Sequence, residues 1–406
     1  MLLCGIDEVR SGMTVAASVF HPRRPDVELL RPGVILDDAL LERLRALRIS
    51  RIWIEHDVTR DLDERIVTEP SPTLINAYHQ LRHDFAAMAQ ATVSTAQVQS
   101  YRQHVMEMLC EVIANRSIAT LTERLIGGGT TFFTHGANVA YLSLIVGLEL
   151  ETYIVRQRAR LGVEHARDLT SLGIGALMHD IGKLALSPEL RELNEYRLAK
   201  GETIEPELLA QYQSHTDGGF EMLANTRMPA SARQIVLNHH QHWDGSGFPD
   251  MTKRSHGRHK GPQSGEQIHV FSRIVAAVSL LDHLMREAEE QQRPIVAALH
   301  AFRHGPWSEW FDPVVFRAVL RKVPPFAVGT HVILSDGRQA VVVAPNLEDP
   351  CRPTVRLLSE TGNEDDLSLA SINLGSRPEL SIVRAAGHDV TRHIFTPPAP
   401  IPTAAA

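Results

Sequence analysis

The stretch GALMHDIGKL at residues 175–184 is the most informative part of this sequence. Its adjacent His179 and Asp180 offer one imidazole and one carboxylate, a mixed nitrogen and oxygen donor set that suits Fe, Mn or Zn. In a helix, Lys183 follows His179 by four residues and Asp180 by three, so the three side chains project from overlapping faces. An ammonium group beside a metal site suits an anionic phosphate substrate. The alternative is a buried helix that carries a chance His-Asp dipeptide.

Further histidines favour metal binding over that alternative. His135 lies in a predicted helix upstream, His215 lies downstream, and the pair His239-His240 follows. Each histidine alone is more often a core or surface residue than a ligand. Together with His179 and Asp180 they provide five imidazoles and a carboxylate, enough for two metals that share a bridging carboxylate. Two metals roughly 3.5–4 Å apart are the usual arrangement for in-line attack of hydroxide on phosphorus.

A glycine-punctuated loop follows the histidine pair closely. Its sequence is Asp244-Gly245-Ser246-Gly247-Phe248-Pro249. By itself this sequence predicts only a loop. Its position after the pair predicts a rim beside the site, where the glycines let backbone approach a bulky substrate and Phe248 packs on a base.

Composition narrows the class of protein. The chain has 406 residues, 43% of them hydrophobic, which is enough for a packed core in two to three domains. Its net charge of −7 argues against nucleic-acid binding and against attachment to a membrane surface. The three cysteines are far apart and form no disulfide or zinc framework, and no stretch reaches the roughly 20 apolar residues that span a bilayer. We therefore expect a soluble, cytoplasmic protein.

The pattern of residues predicts a mainly α protein with small β-containing ends. A small α/β unit is expected over 1–68, with a strand at Met13–Ala16, a helix at Asp38–Leu44 and a strand at Arg51–Ile54. A helical linker over 69–129 leads to a helical domain over 130–325, which closes with a helix that starts at Asp312-Pro313. A β-meander or barrel over 326–390 begins with a hairpin turn at Asp336-Gly337 and adds strands at 354–358 and 367–369. Residues 391–406 are predicted to be disordered.

At this point the motifs resemble those of the HD-GYP family, a subgroup of the HD-domain phosphohydrolases. The resemblance runs from about Thr130 to Val323, and it depends on the combination of H-D-x-G-K with H-H-x-x-x-D-G-x-G-x-P. It implies a helical domain with two or three metals that hydrolyses cyclic di-GMP to pGpG or GMP in bacterial second-messenger signalling. The small units at the two ends also look like parts that accompany HD-GYP domains.

The resemblance assigns roles to individual residues. Asp180 would bridge two divalent ions, Lys183 would hold the scissile phosphate, and a metal-bridging hydroxide would be the nucleophile. Gly247-Phe248-Pro249 would stand where the family has Gly-Tyr-Pro. The metal ligands would be His135, His179, Asp180, His215, His239 and His240, and the loop residues Asp244, Gly245, Gly247, Phe248 and Pro249 would bind substrate.

Departures from the family pattern weaken the first metal site. Val278-Ser279 stands where the family has Ala-Asp, so a ligand carboxylate is missing, and Asp282 on a nearby helical face is a candidate substitute. Gln241 replaces a glutamate, and Phe248 lacks the hydroxyl of the signature tyrosine. Thr131 lies where trinuclear members carry a glutamate ligand, so two metals are expected rather than three.

Two functions remain open from the sequence. The first is a metal-dependent cyclic di-GMP phosphodiesterase. The alternative is a catalytically weak regulator that binds a nucleotide or a protein partner without turnover, which Ser279 and Phe248 motivate. A phosphohydrolase acting on another nucleotide is less consistent with the glycine-rich loop. GGDEF-type or other signalling proteins are candidate partners, and a homodimer is one candidate assembly.

Overall fold

A computed structural model describes residues 1–22, 24–66, 68, 71–86, 93–114, 125, 132–252, 260–358 and 371–399. The fold is mainly α-helical, with a small unit of strands and one helix at the N-terminal end and an antiparallel sheet at the C-terminal end, as predicted.

The described part of the chain contains fifteen α-helices and ten strands. The helices are α1 Asp38–Ala46, α2 Pro72–Ala86, α3 Thr95–Ala114, α4 Phe132–Glu149, α5 Glu151–Gln157, α6 Val163–Ala166, α7 Thr170–Met178, α8 Pro188–Arg191, α9 Glu195–Ala199, α10 Pro206–Gln213, α11 His215–Met222, α12 Ala230–Asn238, α13 Val270–Glu290, α14 Ile295–His304 and α15 Pro313–Lys322. The strands are β1 Leu2–Gly5, β2 Val19–His21, β3 Arg24–Leu30, β4 Arg51–Ile54, β5 His331–Leu334, β6 Gln339–Ala344, β7 Thr354–Leu357, β8 Ser371–Asn373, β9 Ile382–Ala385 and β10 His388–Asp389.

Helices α4, α7, α12 and α13 pack against one another at the centre of the helical domain. Small residues allow close approach between two of them. A Cβ on Gly136 of α4 would lie only 2.8 Å from the carbonyl oxygen of Leu177 in α7. The close packing holds the start of α4 beside the end of α7, where the motif histidines lie.

Helices α2 and α3, in the segment 69–129 that was predicted to be a helical linker, pack in the same core. Leu74 and Leu81 of α2, and Tyr101 and Met108 of α3, are completely buried in it. Their apolar spacing predicted helices but did not reveal which part of the chain they contact.

The N-terminal unit contains the predicted helix α1 and strand β4, but its first strand differs from the prediction. Strand β1 pairs with β4 in antiparallel register, with Leu3 opposite Trp53. Residues 13–16 form only isolated bridges, Thr14 to Ile35 and Val15 to Ile54. Strand β1 is buried along its whole length, so its sequence lacks the alternation of apolar and polar residues. That alternation is the pattern from which a strand is predicted.

The C-terminal sheet has the strand order β10-β9-β5-β6-β7-β8. The predicted hairpin is confirmed between β5 and β6, and Gly337 in its turn has a φ of +87°, which favours glycine. Strand β6 is buried on both faces. Ala340 and Val342 contribute to the core that includes the helical domain, whereas Val341 and Val343 pack with the N-terminal unit.

The N-terminal unit and the C-terminal sheet are therefore in direct contact. The Leu3 amide donates to the carbonyl of Gly329 over 2.8 Å, and a Cβ on Gly5 would lie 2.3 Å from the carbonyl oxygen of Ala386. The imidazole of His331 lies 3.1 Å from a carboxylate oxygen of Glu8. Segments 1–68 and 326–390, predicted as separate units, thus share one core.

The predicted disorder of the C-terminal tail is wrong for residues 391–399. Phe395 is buried in the main core, Arg303 donates to the carbonyl of Thr396, and Arg317 donates to the carbonyl of Pro398. The disorder was predicted from a run rich in proline and alanine, and that composition did not reveal these contacts. The rest of the tail, the predicted strand at 367–369, the boundary at 129 and Thr131 lie outside the described residues.

In the part of the chain that the structure describes, no individual helix has both the length and the apolar character needed to cross a bilayer. One pair, α4 with α5, meets the length and composition test jointly, but it is bent by 85°.

Candidate metal centre

The helix ends near the centre of the domain bring the six predicted ligands together. His135 lies in the first turn of α4, His179 and Asp180 directly follow α7, and His215 begins α11. The pair His239-His240 directly follows α12. All of these side chains except that of His240 are almost completely buried, and they form two groups that share Asp180. One group is Asp180, His215, His239 and His240, and the other is His135, His179 and Asp180.

The local structure around Lys183 differs from the single helix that the sequence predicted. Helix α7 ends at Met178, and a 3₁₀ helix over Ile181–Ala185 follows. The change of backbone lets Gly182 contact α11, where an added Cβ would lie 1.9 Å from the carbonyl oxygen of His215. The glycine of the motif thus sets the distance between His179-Asp180 and His215.

The Nδ1 atoms of all five histidines face hydrogen-bond acceptors. His135 Nδ1 lies 2.7 Å from Asp282 Oδ2, and His240 Nδ1 lies 2.7 Å from Glu195 Oε2. The other three face backbone carbonyl oxygens, His179 that of Ala176 at 2.7 Å, His215 that of Tyr212 at 2.6 Å and His239 that of Val236 at 3.1 Å. Each Nδ1 therefore carries the proton, and each Nε2 presents a lone pair.

These lone pairs converge on the carboxylate of Asp180. Its Oδ1 lies 3.4 Å from His215 Nε2 and 3.3 Å from His239 Nε2. Its Oδ2 lies 3.6 Å from His179 Nε2 and 3.9 Å from His135 Nε2. The Nε2 atoms of His135 and His179 are 3.2 Å apart. The carboxylate thus faces two histidines with each oxygen.

Such a cluster of acceptors fits divalent cations. In the described part of the chain, Asp180 Oδ1 and His240 Nε2 are buried and have no hydrogen-bond partner. Burial lowers the pKa of His179 to about 4 and that of His135 well below its usual value, so both imidazoles are neutral at pH 7. Neutral imidazoles and a carboxylate are the donors that Fe, Mn and Zn prefer. The residues therefore suit metal ions, and Asp180 is placed to be shared between two.

Lys183 supplies the compensating positive charge. Its Nζ lies 2.8 Å from Asp180 Oδ2, and its side chain is 4% exposed. Burial opposes ionisation of Asp180, but Lys183 beside it holds the pKa of that carboxyl well below its usual range. The ammonium group also lies 5.5 Å from the ring centre of Tyr212.

Ser279 and Asp282 occupy different positions relative to the candidate metal centre, the cluster formed by Asp180 and the five histidines. The hydroxyl of Ser279 lies 3.2 Å from His135 Nε2, on the side where the lone pairs meet. Asp282 instead contacts Nδ1 of His135, accepts from Asn138 over 3.2 Å and lies 3.2 Å from Arg286 Nε. Asp282 therefore orients His135 from behind. It does not take the place of the missing ligand carboxylate, as the sequence had suggested it could.

Glu195, which orients another histidine of the centre, was not among the predicted site residues. Its two carboxylate oxygens lie 2.7 Å from His240 Nδ1 and 3.2 Å from His242 Nε2. Although burial opposes it, the neighbouring His242 and His240 lower the pKa of Glu195. Glu195 lies 45 residues before His240 in the first turn of a short helix, and no motif marks it.

Gln241, which replaces the family glutamate, fixes the loop after the histidine pair. Its Nε2 donates to the carbonyl of Pro249 over 2.7 Å, and its Oε1 accepts from the amide of Gln263 over 2.6 Å. An added Cβ on Gly247 would lie 2.1 Å from the carbonyl oxygen of His240, so the loop packs directly on the ligand backbone.

Phe248 does not present its ring as an open surface for a base, which corrects that part of the prediction. The ring is 7% exposed and stacks on His240 with centres 4.5 Å apart and planes at 16°. Asp244 is also occupied locally, because it accepts from the Ser246 amide and hydroxyl. Of the described residues, none in 244–249 lines the cavity beside the centre. Substrate binding by Asp244, Gly245, Gly247, Phe248 and Pro249 stays a prediction.

Two family models match the chain. Residues 149–315 match the HD domain, and residues 331–389 match the KOW domain associated with HD domains. The first match covers all the clustered residues except His135, which lies upstream of it.

Three relatives are informative. The cyclic di-GMP phosphodiesterase PA4108 of Pseudomonas aeruginosa is 25% identical over 375 residues, with 85% of this chain and 82% of the relative covered. The cyclic di-GMP phosphodiesterase response regulator RpfG of Xanthomonas campestris is 26% identical, covering 60% and 56%. A cyclic di-GMP phosphodiesterase of Thermotoga maritima is 32% identical, covering 38% and 37%. Residues 149–315 therefore form an HD domain in a chain that is similar to cyclic di-GMP phosphodiesterases, and residues 331–389 form a KOW domain of the kind associated with HD domains.

Proposed function

We propose that this chain is a phosphodiesterase that hydrolyses cyclic di-GMP to pGpG or GMP with the help of two divalent metal ions. One observation carries the proposal: the Nε2 lone pairs of four histidines meet the two oxygens of Asp180 beside the ammonium group of Lys183. The names of the three relatives support the substrate.

The residues of the cluster would have distinct roles in binding metal and substrate. His135 and His179 would hold one ion, His215, His239 and His240 the other, and Asp180 would contact both. When bound, the ions lower the pKa of water toward about 7 and polarise a phosphoryl oxygen. Lys183 lies where it can stabilise the negative charge that develops on the phosphoryl group, because its ammonium group is buried in the cluster, 2.8 Å from Asp180 Oδ2.

The test is turnover of cyclic di-GMP by the purified chain loaded with Mn²⁺ or Fe²⁺. We expect linear product from the wild type and none from Asp180→Asn, which keeps the side-chain size but removes the shared charge. His300→Leu is a matched control, because this histidine of the helical domain contacts His304 and His393 instead of the centre. If wild type and Asp180→Asn are equally inactive with every metal tried, the proposal fails.

Ser279 favours binding without turnover. A hydroxyl beside His135 Nε2 offers a weaker donor than the family carboxylate. The relatives' names favour turnover, so we retain the enzyme as the proposed function. Binding of cyclic di-GMP in calorimetry without product in the assay would reverse that preference.

A further inference from the structure

His283 lies in the same cavity as the centre, although no motif in the sequence marks it. It is one turn after Ser279 on α13, and it lines the cavity together with Lys183, Asp180 and Glu195. Building on the proposed function, we propose that His283 determines how the substrate phosphate is held, by donating a hydrogen bond from Nε2–H to a phosphate oxygen.

The hydrogen bonding of His283 is opposite to that of the five clustered histidines. Its Nδ1 lies 2.5 Å from an Nη atom of Arg286. A guanidinium group has only donors, so Nδ1 of His283 must accept and its ring proton must sit on Nε2. A histidine in this tautomer offers an N–H group at Nε2, where the others offer a lone pair. It is therefore suited to an anion and unsuited to a metal ion.

The Nδ1 contacts, together with the stacking of the rings, determine the direction of this N–H group. The imidazole of His283 stacks on His135, with ring centres 4.2 Å apart and planes at 22°. Both Nδ1 atoms face the pair formed by Asp282 and Arg286, whose charged groups lie 3.2 Å apart. Two nearly parallel imidazoles with Nδ1 on one side have Nε2 on the other, and for His135 that side is the centre.

The ring of His283 is held in this orientation. Tyr196 also stacks on it, with centres 5.7 Å apart and planes at 28°. A donor that is fixed before the ligand arrives loses little entropy on binding. Next to the ammonium of Lys183, a neutral N–H donor adds a directed contact for a phosphate oxygen without adding charge.

The test uses the full chain loaded with Mn²⁺ and compares His283→Leu and His283→Asn with wild type, with His300→Leu as the control. Three properties are measured: metal content, binding of inorganic phosphate by calorimetry, and kcat and KM for cyclic di-GMP. We expect His283→Leu to keep the wild-type metal content and to bind phosphate roughly tenfold to hundredfold more weakly, the range for a hydrogen bond to a charged group. The amide of His283→Asn should restore part of this binding.

Two outcomes would overturn the role of His283. Unchanged phosphate binding in His283→Leu would show that His283 does not donate to the phosphate. Reduced metal content in this variant would show that His283 is a metal ligand instead. If the leucine variant does not fold, ¹⁵N spectra of histidine-labelled wild type decide, because a proton on Nδ1 of His283 contradicts the proposal. Phosphate binding that weakens as expected in a protein that never cleaves cyclic di-GMP would reject the proposed function alone.

Discussion

Oε2 of Glu195 lies 2.7 Å from Nδ1 of His240, and this contact turns the Nε2 lone pair of His240 toward the centre. Carboxylates behind ligand histidines fix the tautomer and raise the basicity of the ring. Asp282 has the same relationship with His135, so each half of the centre has one histidine oriented by a carboxylate.

Replacing Glu195 with Gln should weaken metal binding without removing a ligand. Loss of the carboxylate leaves His240 free to change tautomer, and a loss of about 10- to 100-fold in metal affinity is expected. Competition with a chromogenic chelator measures this. Glu192→Gln changes an exposed carboxylate three residues earlier and should leave the affinity unchanged. Equal affinities in the two variants would contradict the role of Glu195.

Replacing Ser279 with Asp should make stability depend more strongly on metal. The side chain is 8% exposed and faces His135 Nε2, so a carboxylate there is uncompensated until a cation binds. We expect a lower Tm than wild type without metal, a larger rise in Tm on adding Mn²⁺, and an affinity increase of about tenfold or more. Ser279→Asn, which has the same shape without the charge, should show no larger rise than wild type.

Substituting Gly182 with Ala should disrupt the centre, whereas Gly218→Ala should not. The new Cβ at 182 would lie 1.9 Å from backbone of α11, which cannot move without displacing His215, whereas at 218 it would meet nothing within 4 Å. We expect Gly182→Ala to lower the free energy of unfolding by about 2 kcal/mol or more and to reduce metal content. Gly218→Ala should raise it by up to about 1 kcal/mol, because alanine favours the helix. Chemical unfolding and metal analysis check both.

Stability should fall in mild acid because of His269. Burial, with Arg158 and Arg273 nearby, lowers the pKa of His269 from 6.5 to about 4. Between pH 6.5 and 4 the unfolded chain therefore binds a proton that the folded chain does not, and this destabilises the fold as pH falls, by up to about 3 kcal/mol at pH 4.

The matching variant is His269→Asn, because asparagine can still accept from the Phe271 amide at the start of α13. The free energy of unfolding should fall less between pH 6.5 and 4 in this variant than in wild type. An identical pH dependence would show that His269 does not contribute.

Spacing along the chain was enough to predict the residues that converge on the centre. Histidines with a carboxylate in a helical context carry a recognisable chemical signal, and Asp312-Pro313 likewise indicated the start of α15, where Asp312 accepts from the Val314 amide. Glu195 carried no such signal, since a glutamate at the start of a helix is ordinary on a protein surface.

The remaining differences come from contacts that a local pattern cannot contain. The 3₁₀ turn at Lys183 depends on how closely Gly182 approaches His215, and the tautomer of His283 depends on Arg286. The contact between Glu8 and His331 joins residues 323 positions apart.

The shared core of the N-terminal unit and the C-terminal sheet has a consequence for synthesis on the ribosome. Leu3 and Trp53 emerge well before Val341 and Val343, which complete their core. The nascent N-terminal unit must therefore wait with part of its apolar surface uncovered, a situation in which chains aggregate or recruit chaperones.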